Sequence, residues 1–249
     1  MQGVLLKTAE ELEIMRRAGR IVSGLLARME KEAKAGVTTK RLDEIAEEYI
    51  RSFGAEPAFK GYYGYPCTIC TSVNEEVVHG IPGPRVLKDG DIVGVDAGVK
   101  LEGFFSDAAR TFAIGKPDED SRRLIEVTRE AMNRGIAQAV EGKRLGDISW
   151  AVQSFSESKG MSVVRDFVGH GIGRNLHEDP QVPNVGQPDQ GPRLMVGMAL
   201  AIEPMLNLGK FEVEVLSDGW TVVTKDRKRS GHFEQTVLVG KHRPEVVTE

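Results

Sequence analysis

The sequence predicts an α+β fold in which two similar halves form one domain. The chain has 249 residues, which is near the upper limit for a single compact domain. Two segments with the apolar spacing of helices are followed by segments with the composition of strands, and this order occurs twice. We therefore expect one domain over residues 1–249, with a first half at about 8–115, a second half at about 116–240, and helices outside a shared layer of strands.

The helices of the first half have recognisable beginnings and ends. Thr8 followed by Glu11 is a capping box, and apolar residues then recur at helical spacing from Ile14 to Met29. Gly36 is a stop signal for this helix. A second helix is predicted over Leu42–Phe53, because its apolar residues keep the same period.

The remaining elements repeat this order. Helices are predicted at about Glu119–Glu141 and Asp147–Lys159, each followed by a glycine. A Gly- and Pro-rich stretch from Val168 to Gly197 predicts a long loop, and a loop of this length in a compact domain is often functional. Segments rich in valine, alanine and phenylalanine predict strands at Asp91–Val99, Phe104–Ile114, Met198–Glu203, Phe211–Leu216 and Phe233–Val239.

The composition is that of an ordinary soluble globular protein, with 40% hydrophobic and 28% charged residues. The net charge of −4 is too small to indicate a nucleic acid or a charged membrane as the main partner. The N-terminal segment turns acidic before any long apolar stretch, unlike a signal peptide, and runs such as Met198–Ile202 are too short to cross a bilayer. We therefore expect a cytoplasmic protein without membrane contact.

The chain contains two cysteines, Cys67 and Cys70, in the segment CTIC. A structural zinc site usually needs a second pair of ligands at similar spacing, and the sequence contains no such pair. A redox-active pair is an alternative reading of the same spacing. The interpretation we favour is two reduced, partly buried thiols, with Cys70 lining a pocket.

Two aspartates interrupt strands that otherwise read as buried. Asp96 lies in IVGVDAGV and Asp107 in GFFSDAAR, and an unpaired buried carboxylate is costly. If Leu101 and Glu102 form a two-residue hairpin turn, the two aspartates face each other with Cβ atoms about 5 Å apart. Two facing carboxylates repel each other unless a cation lies between them. The hairpin therefore predicts either a cation between the two aspartates or a raised pKa for at least one of them.

Three further polar residues lie on or beside predicted strands. Glu203 interrupts MALAIEPM, Glu234 interrupts HFEQTVLV, and His170 lies between glycines in FVGHGIG. Carboxylates with one imidazole suit divalent ions such as Mn²⁺, Fe²⁺ or Co²⁺, and two carboxylates can bridge a metal pair. Each position taken alone is more typical of a salt-bridged or solvent-facing strand residue than of a metal ligand, so the spacing by itself leaves both interpretations open.

Several segments, taken in order, resemble the type I methionine aminopeptidases, and the resemblance extends from about Thr8 to Val239. It implies a pita-bread fold, in which two pseudo-symmetric halves surround a central antiparallel sheet. No long insert separates His170 from Glu203, which is the type I pattern. The segments that carry the resemblance are GYPCTICTSVNEEVVHGIP, VDAG, SDAARTF, GHGIGRNLHEDP, LAIEPM, DGWTVVT and GHFEQTVLV.

The resemblance also implies the roles of individual residues. Two divalent ions (Co²⁺, Mn²⁺, Fe²⁺ or Zn²⁺) would be held in part by Asp107 and Glu234 as bridging ligands. His79 would contact the backbone amide of the substrate, His177 would donate to the scissile carbonyl oxygen, and Glu203 would act as general acid and base. The complete set of implied metal ligands is Asp96, Asp107, His170, Glu203 and Glu234.

A methionine pocket and a monovalent cation site follow from the same resemblance. A narrow apolar and aromatic slot suits an unbranched, polarizable thioether. The monovalent ion, Na⁺ or K⁺, would be bound by backbone oxygens near Asn74, Glu76 and Ser230. The side chains implied to line the methionine pocket are Phe59, Tyr62, Tyr65, Cys70, Leu176 and Trp220.

The implied function is removal of the initiator methionine from nascent proteins when the second residue is small. The implied partners are the N-termini of nascent polypeptides, and the family expectation is a monomer without specific nucleic-acid binding. A basic cluster, Lys225, Arg227, Lys228 and Arg229, predicts a solvated hairpin turn, and transient docking at the ribosome is a second interpretation of the same cluster.

Three other classes stay open at this point. An Xaa-Pro aminopeptidase or prolidase would have the same fold, although such enzymes usually carry an additional N-terminal domain. A pita-bread protein that binds partners without catalysis would be expected to lack metal ligands. A ribosome- or RNA-binding factor is the third class, and the basic cluster at residues 225–229 is its only support.

Overall fold

A computed structural model describes residues 3–249 of the chain. Among these residues, no helix combines the length and the apolar character needed to cross a membrane. The helices are α1 (Ala9–Glu32), α2 (Thr39–Ser52), α3 (Glu119–Ile136) and α4 (Leu145–Ser158), with a short 3₁₀ turn at Tyr62–Gly64. The strands are β1 (Glu56–Pro57), β2 (Ile69–Val73), β3 (Glu76–Val78), β4 (Ile92–Leu101), β5 (Phe104–Ala113), β6 (Ser162–Val163), β7 (Gly169–Gly171), β8 (Glu178–Val182), β9 (Ala199–Ile202), β10 (Met205–Asn207), β11 (Val213–Val215), β12 (Val222–Thr224), β13 (Ser230–His232), β14 (Glu234–Leu238) and β15 (Glu245–Val246).

The two helices of the first half begin and end as their capping residues predict. The Thr8 hydroxyl accepts a hydrogen bond from the Glu11 amide, and the Glu11 carboxylate accepts one from the Thr8 amide, which confirms the capping box. Helix α1 ends four residues before Gly36, whose φ of 91° lies in the turn that follows. Helix α2 begins at Thr39 because Thr38 caps it, three residues earlier than the apolar pattern suggests.

Helix α3 is shorter than predicted, since it ends at Ile136 rather than near Glu141. The residues between these two points form turns, and Val140 pairs with Gly240 in an isolated β-bridge. Apolar spacing alone cannot separate a last helical turn from a bridge that buries the same residues. Helix α4 was predicted to within two residues at its start and one at its end.

The predicted α+β class and the central antiparallel sheet are confirmed. The sheet has nine strands, with the main order β1-β4-β5-β14-β9-β7-β8, while β2 pairs with β4 and β15 with β14. Strands β4 and β5 belong to the first half of the chain, and β14, β9 and β7 belong to the second. The halves join where Glu234 pairs with Ala109, between β14 and β5. Helix α1 packs on β4 and β5, and α3 packs on β5 and β9.

The predicted register of the β4–β5 hairpin is wrong by one turn position. The turn is Glu102-Gly103 rather than Leu101-Glu102, so Asp96 pairs with Ala109 and Asp107 pairs with Gly98. Both turn residues have positive φ, 48° at Glu102 and 84° at Gly103. This is the conformation of the two-residue hairpin turn whose twist matches that of the strands, and it favours glycine at the second turn position. Because the register moves by two residues, the aspartates become diagonal neighbours on the same face of the sheet.

The long loop predicted at Val168–Gly197 contains two strands, β7 and β8. Strand β7 is almost entirely glycine apart from His170, so it lacks the apolar alternation by which strands are recognised. The glycines are required by close packing: a Cβ at Gly169 would lie 2.3 Å from the Ala201 carbonyl oxygen, and one at Gly171 would lie 2.3 Å from that of Asp179. The structure thus places His170 on a central strand.

Candidate active site

The five side chains predicted as metal ligands converge at the centre of the sheet. Asp96 and Asp107 extend from β4 and β5, His170 from β7, Glu203 from the residue after β9, and Glu234 from the start of β14. These strands are neighbours in the order β4-β5-β14-β9-β7, which brings residues far apart in sequence together. The His170 Nε2 atom lies 3.5 Å from Asp107 Oδ2, 3.6 Å from Glu203 Oε1 and 4.0 Å from Glu234 Oε1.

One hydrogen bond sets the orientation of the His170 ring. Its Nδ1 lies 2.9 Å from the Gly171 carbonyl oxygen, which can only accept, so Nδ1 carries the ring proton. The lone pair of Nε2 therefore faces the carboxylates, the arrangement typical of a metal-binding histidine. Burial lowers the pKa of His170 to about 4, which keeps the ring neutral at physiological pH.

The four carboxyl groups of the cluster have too few donors for their burial. Burial raises the pKa of Asp107 to about 6, although the Thr236 hydroxyl donates to its Oδ1 at 3.0 Å. Asp96 Oδ1 is buried and has no hydrogen-bond partner among residues 3–249. Burial, followed by the charge of Asp107, raises the pKa of Asp96 well above the usual range. The pKa values of Glu203 and Glu234 are raised by burial and by the neighbouring carboxylates.

This combination of groups fits divalent metal ions. Ligand atoms of Asp107, His170 and Glu234 all lie within 4.8 Å of one another. A cation would neutralise the repulsion among the carboxylates and would coordinate the oxygen of Asp96 that has no protein partner. Carboxylate oxygens with one imidazole suit borderline and hard divalent ions.

A cavity of about 340 Å³ opens beside the cluster. Every residue predicted from the sequence as a metal ligand, catalytic group or methionine-pocket residue lines it. Cys70 reaches the cavity because it pairs with Asp96 across β2 and β4. The predicted residues along its wall are Phe59, Tyr62, Tyr65, Cys70, His79, Asp96, Asp107, His170, Leu176, His177, Glu203, Trp220 and Glu234.

Two histidines lie at the cavity outside the carboxylate cluster. His177 is at the rim, where its Nδ1 is 2.9 Å from the Tyr62 hydroxyl and its ring centroid is 4.2 Å from that of His170. When Tyr62 donates to Nδ1, Nε2 carries the proton and can donate to a ligand. Although part of the ring is exposed, burial of the rest and the nearby His170 lower its pKa to about 4.

His79 also lines the cavity, in a backbone conformation with φ of 59°. Its ring contacts Phe167 edge-on, with centroids 5.5 Å apart, and Trp220 at 6.4 Å. Burial, followed by the charge of His177, lowers the pKa of His79 to about 4. His79 is therefore a neutral hydrogen-bonding group held by aromatic side chains.

Sequence reasoning missed several residues of the site. Phe167 lines the cavity, and its place two residues before the glycine-rich strand of His170 is a signal that could have identified it. His232 lies behind Glu203, with its Nε2 3.7 Å from Glu203 Oε2, and that nitrogen is buried without a hydrogen-bond partner. The position of His232, two residues before Glu234, was the available signal, since such residues share a face in extended chain. Asp166, Val168, Tyr63 and Val78 also line the cavity.

The residues predicted for a monovalent cation lie beside one another. The Ser230 amide donates to the Asn74 carbonyl oxygen at 2.9 Å. The Glu76 carboxylate accepts hydrogen bonds from the Val73 amide at 2.7 Å and from Arg85 at 2.6 Å. Binding of Na⁺ or K⁺ at this point stays a prediction.

Both cysteines are free thiols, as predicted. Cys70 is buried at the cavity wall, and burial raises the pKa of its thiol well above the usual value. A protonated thiol is a poor nucleophile, so the chemistry of the cavity belongs to the carboxylates and histidines.

Comparison with known proteins identifies the class. The model of a family described as "Metallopeptidase family M24" matches residues 13–241. A methionine aminopeptidase from Clostridium perfringens is 53% identical over 245 residues, covering 98% of each chain. The match spans nearly the whole chain, and the chain therefore belongs to metallopeptidase family M24.

Solved structures place it within that family. The structure of methionine aminopeptidase from Rickettsia prowazekii matches with a TM-score of 0.98 at 40% identity, covering 99% of this chain and 100% of that one. The structure of methionine aminopeptidase from Thermotoga maritima matches with a TM-score of 0.98 at 45% identity, with the same coverage of both chains. The chain is thus a hydrolase of the methionine aminopeptidase type, and the resemblance found in the sequence is confirmed.

Proposed function

We propose that this enzyme removes the initiator methionine from nascent proteins whose second residue is small. The observation that carries the proposal is one cavity that is lined both by the carboxylate–imidazole cluster and by aromatic side chains. An unbranched thioether fits a slot of this kind and gains from sulfur–aromatic contact. The aromatic part includes Tyr65 and Trp220, whose ring centroids are 5.1 Å apart.

Two divalent ions, Co²⁺, Mn²⁺, Fe²⁺ or Zn²⁺, would be held by the five side chains of the cluster. When bound, such ions polarise a carbonyl group and lower the pKa of water. The raised pKa values of the carboxyl groups support this assignment, because a cluster of this charge needs cations to remain ionised. The ligands would be Asp96, Asp107, His170, Glu203 and Glu234.

The remaining steps belong to side chains of the cavity. A carboxylate oxygen of Glu203 takes the proton of the attacking water and later delivers it to the leaving amine. The Nε2–H group of His177 donates to the oxygen of the scissile carbonyl and stabilises the negative charge that develops there. His79 binds the backbone amide of the substrate and fixes its direction.

The preference for a small second residue is supported by the wall next to His79. The Phe167 ring contacts the His79 ring, so a side chain placed just beyond the cleaved bond has an aromatic neighbour. A bulky second residue would meet this wall, whereas glycine, alanine or serine would not.

We also propose that the enzyme acts as a cytoplasmic monomer and contacts the ribosome transiently. Within the described chain, Arg227 pairs with Glu214 and Arg229 with Asp118, whereas Lys225 and Lys228 are exposed and make no ion pair. These two lysines are the charges available for an RNA surface.

The test is methionine release from Met-Ala-Ser, compared with Met-Lys-Ser and with an Ala-Pro peptide. The metal-free enzyme is assayed with Mn²⁺, Fe²⁺, Co²⁺ or Zn²⁺ added separately. We expect metal-dependent release from Met-Ala-Ser alone. Cleavage of Ala-Pro instead would indicate a proline-specific peptidase, and absence of cleavage with every metal would favour a binding protein.

A further inference from the structure

A buried ion pair connects the N-terminal segment to the strand that follows His177. Lys7 Nζ lies 2.7 Å from Glu178 Oε2, and each side chain is only 4% exposed. The same ammonium group donates to the Leu5 carbonyl oxygen at 2.9 Å. Buried lysine and glutamate are rare unless paired, and removing one partner leaves an uncompensated charge in the interior.

Glu178 ends the His177 loop, which we define as residues 172–177 between β7 and β8. One of its carboxylate oxygens binds Lys7, and the other accepts a hydrogen bond from the Asn175 amide at 3.0 Å. The carboxylate therefore closes the loop on itself and attaches it to the N-terminal segment. His177 is the residue directly before it.

Three further contacts hold the start of the same loop. Arg174 forms an ion pair with Glu11 in the first turn of α1 and lies over the Phe104 ring. The Phe105 amide donates to the Gly173 carbonyl oxygen at 2.8 Å. With these contacts in place, the Lys7–Glu178 pair is a buried, charged attachment at the end that carries His177.

The backbone of the N-terminal segment is itself held in place at Lys7. The Lys7 amide donates to the Gly197 carbonyl oxygen at 2.8 Å. A Cβ at Gly173 would lie 2.3 Å from Lys7 Cε, so the lysine stem fills the space beside the loop. Lys7 is thus packed tightly on both the charged end and the stem.

We propose that Lys7 is a positioning residue for catalysis: through Glu178 it fixes the His177 imidazole against the scissile carbonyl oxygen. This inference rests on the role proposed above for His177. Without the ammonium group, Glu178 reaches water only if the end of the loop opens. An opening of about 1 Å at His177 would lower turnover by up to about a hundredfold.

The test compares wild type, Lys7→Met, His177→Ala and the double variant Lys7→Met/His177→Ala. All are loaded with metal and assayed on Met-Ala-Ser well below their melting temperatures. We expect Lys7→Met to lower kcat about tenfold with little change in KM, because His177 acts on the transition state. In the His177→Ala background, Lys7→Met should have no further effect on kcat.

A merely structural role gives a different result. If Lys7 were merely structural, Lys7→Met would have a lower melting temperature but an unchanged kcat per folded molecule. Alternatively, Lys7→Met would lower kcat by the same factor in the wild-type and the His177→Ala backgrounds. Either outcome would overturn the proposal. Lys34→Met is the matched control, since Lys34 is exposed and forms no ion pair within the described part of the chain. The kcat of Lys34→Met should equal that of wild type.

Two measurements keep the result interpretable. If Lys7→Met does not fold, Lys7→Met/Glu178→Gln removes both buried charges, and it should still lower kcat because the link to the loop is absent. The His177 imidazole resonances of the Zn²⁺ enzyme should shift in Lys7→Met, and unchanged resonances would contradict the proposal. If wild type releases no methionine, the proposed function fails, while this spectroscopic measurement still tests the placement of His177.

Discussion

Individual side chains in this site are placed so that burial sets their charge. His79, His170 and His177 are all held neutral because burial lowers the pKa of each to about 4. Neutral imidazoles can coordinate a cation or donate one N–H group, and they add no positive charge next to a metal. The carboxylates next to them carry the negative charge that cations require.

Replacement of His79 by alanine should separate substrate binding from metal binding. We expect turnover of Met-Ala-Ser to fall about tenfold to a hundredfold, because the substrate amide loses its partner. The metal content should stay at the wild-type level, since His79 lies outside the carboxylate cluster. Turnover and metal analysis by mass spectrometry check both parts. His242→Ala, at an exposed histidine, is the control, and a His79→Ala enzyme with full turnover would disprove the role.

The same variant has a pH signature in stability. The pKa of His79 is about 4 in the folded protein, below its unfolded value, so its contribution is present above pH 6.5 and is lost as pH falls toward 4. Between pH 7.5 and pH 5, wild type should lose about 2 kcal/mol that His79→Ala does not lose. Urea unfolding of the metal-free proteins at the two pH values measures the difference. If the difference in free energy of unfolding between wild type and His79→Ala were the same at both pH values, the lowered pKa of His79 would be contradicted.

At the scale of elements, the β4–β5 hairpin places both aspartates on one face. Its Glu102-Gly103 turn needs positive φ at both residues, and the 84° of Gly103 is costly for a side chain. Gly103→Ala should therefore lower the free energy of unfolding by about 1–2 kcal/mol, as measured by urea unfolding. In Gly83→Ala, the control, φ is not positive and a Cβ meets nothing closer than 3.8 Å, so stability should change little. Equal effects at both positions would refute the turn assignment.

The elements also show what a sequence can and cannot predict. Helix starts at Thr8 and the strands around Asp96 and Asp107 were predictable, because caps and apolar composition are local signals. The turn was misplaced by one residue, since Leu101-Glu102 and Glu102-Gly103 differ only in which residue takes positive φ. Strand β7 was missed because its pairing depends on glycines that permit contact with distant backbone. The ligand set came from resemblance, since five polar residues scattered along the chain have no local pattern that connects them.

At the scale of the whole molecule, the candidate metal centre joins the two halves. Asp96 and Asp107 belong to the first half, and His170, Glu203 and Glu234 belong to the second. A cation bound among them would oppose separation of the halves, and its absence would leave repelling carboxylates at their junction. Metal loading and global stability should therefore be coupled.

Chelation should lower the melting temperature of the enzyme at pH 7.5. A ligand at a hundredfold excess over its Kd contributes about 2.7 kcal/mol, which corresponds to about 5–10 °C for a chain of this size. Scanning calorimetry before and after EDTA treatment measures the shift, and added Mn²⁺ should reverse it. A metal-free protein as stable as the loaded one would show that the carboxylates are satisfied without cations.

The position of β14 has a consequence for the newborn chain of this enzyme. This strand lies between β5 and β9, yet it is made after all the other strands of the main order. During synthesis, the β5 edge of the β4–β5 hairpin therefore stays unpaired while more than a hundred further residues are made. An unpaired strand edge is prone to pairing with other chains. Glu234, the fifth of the proposed ligands, lies on that same late strand. A half-made copy accordingly contains no complete centre, and it cannot cleave a substrate until its last central strand has been made.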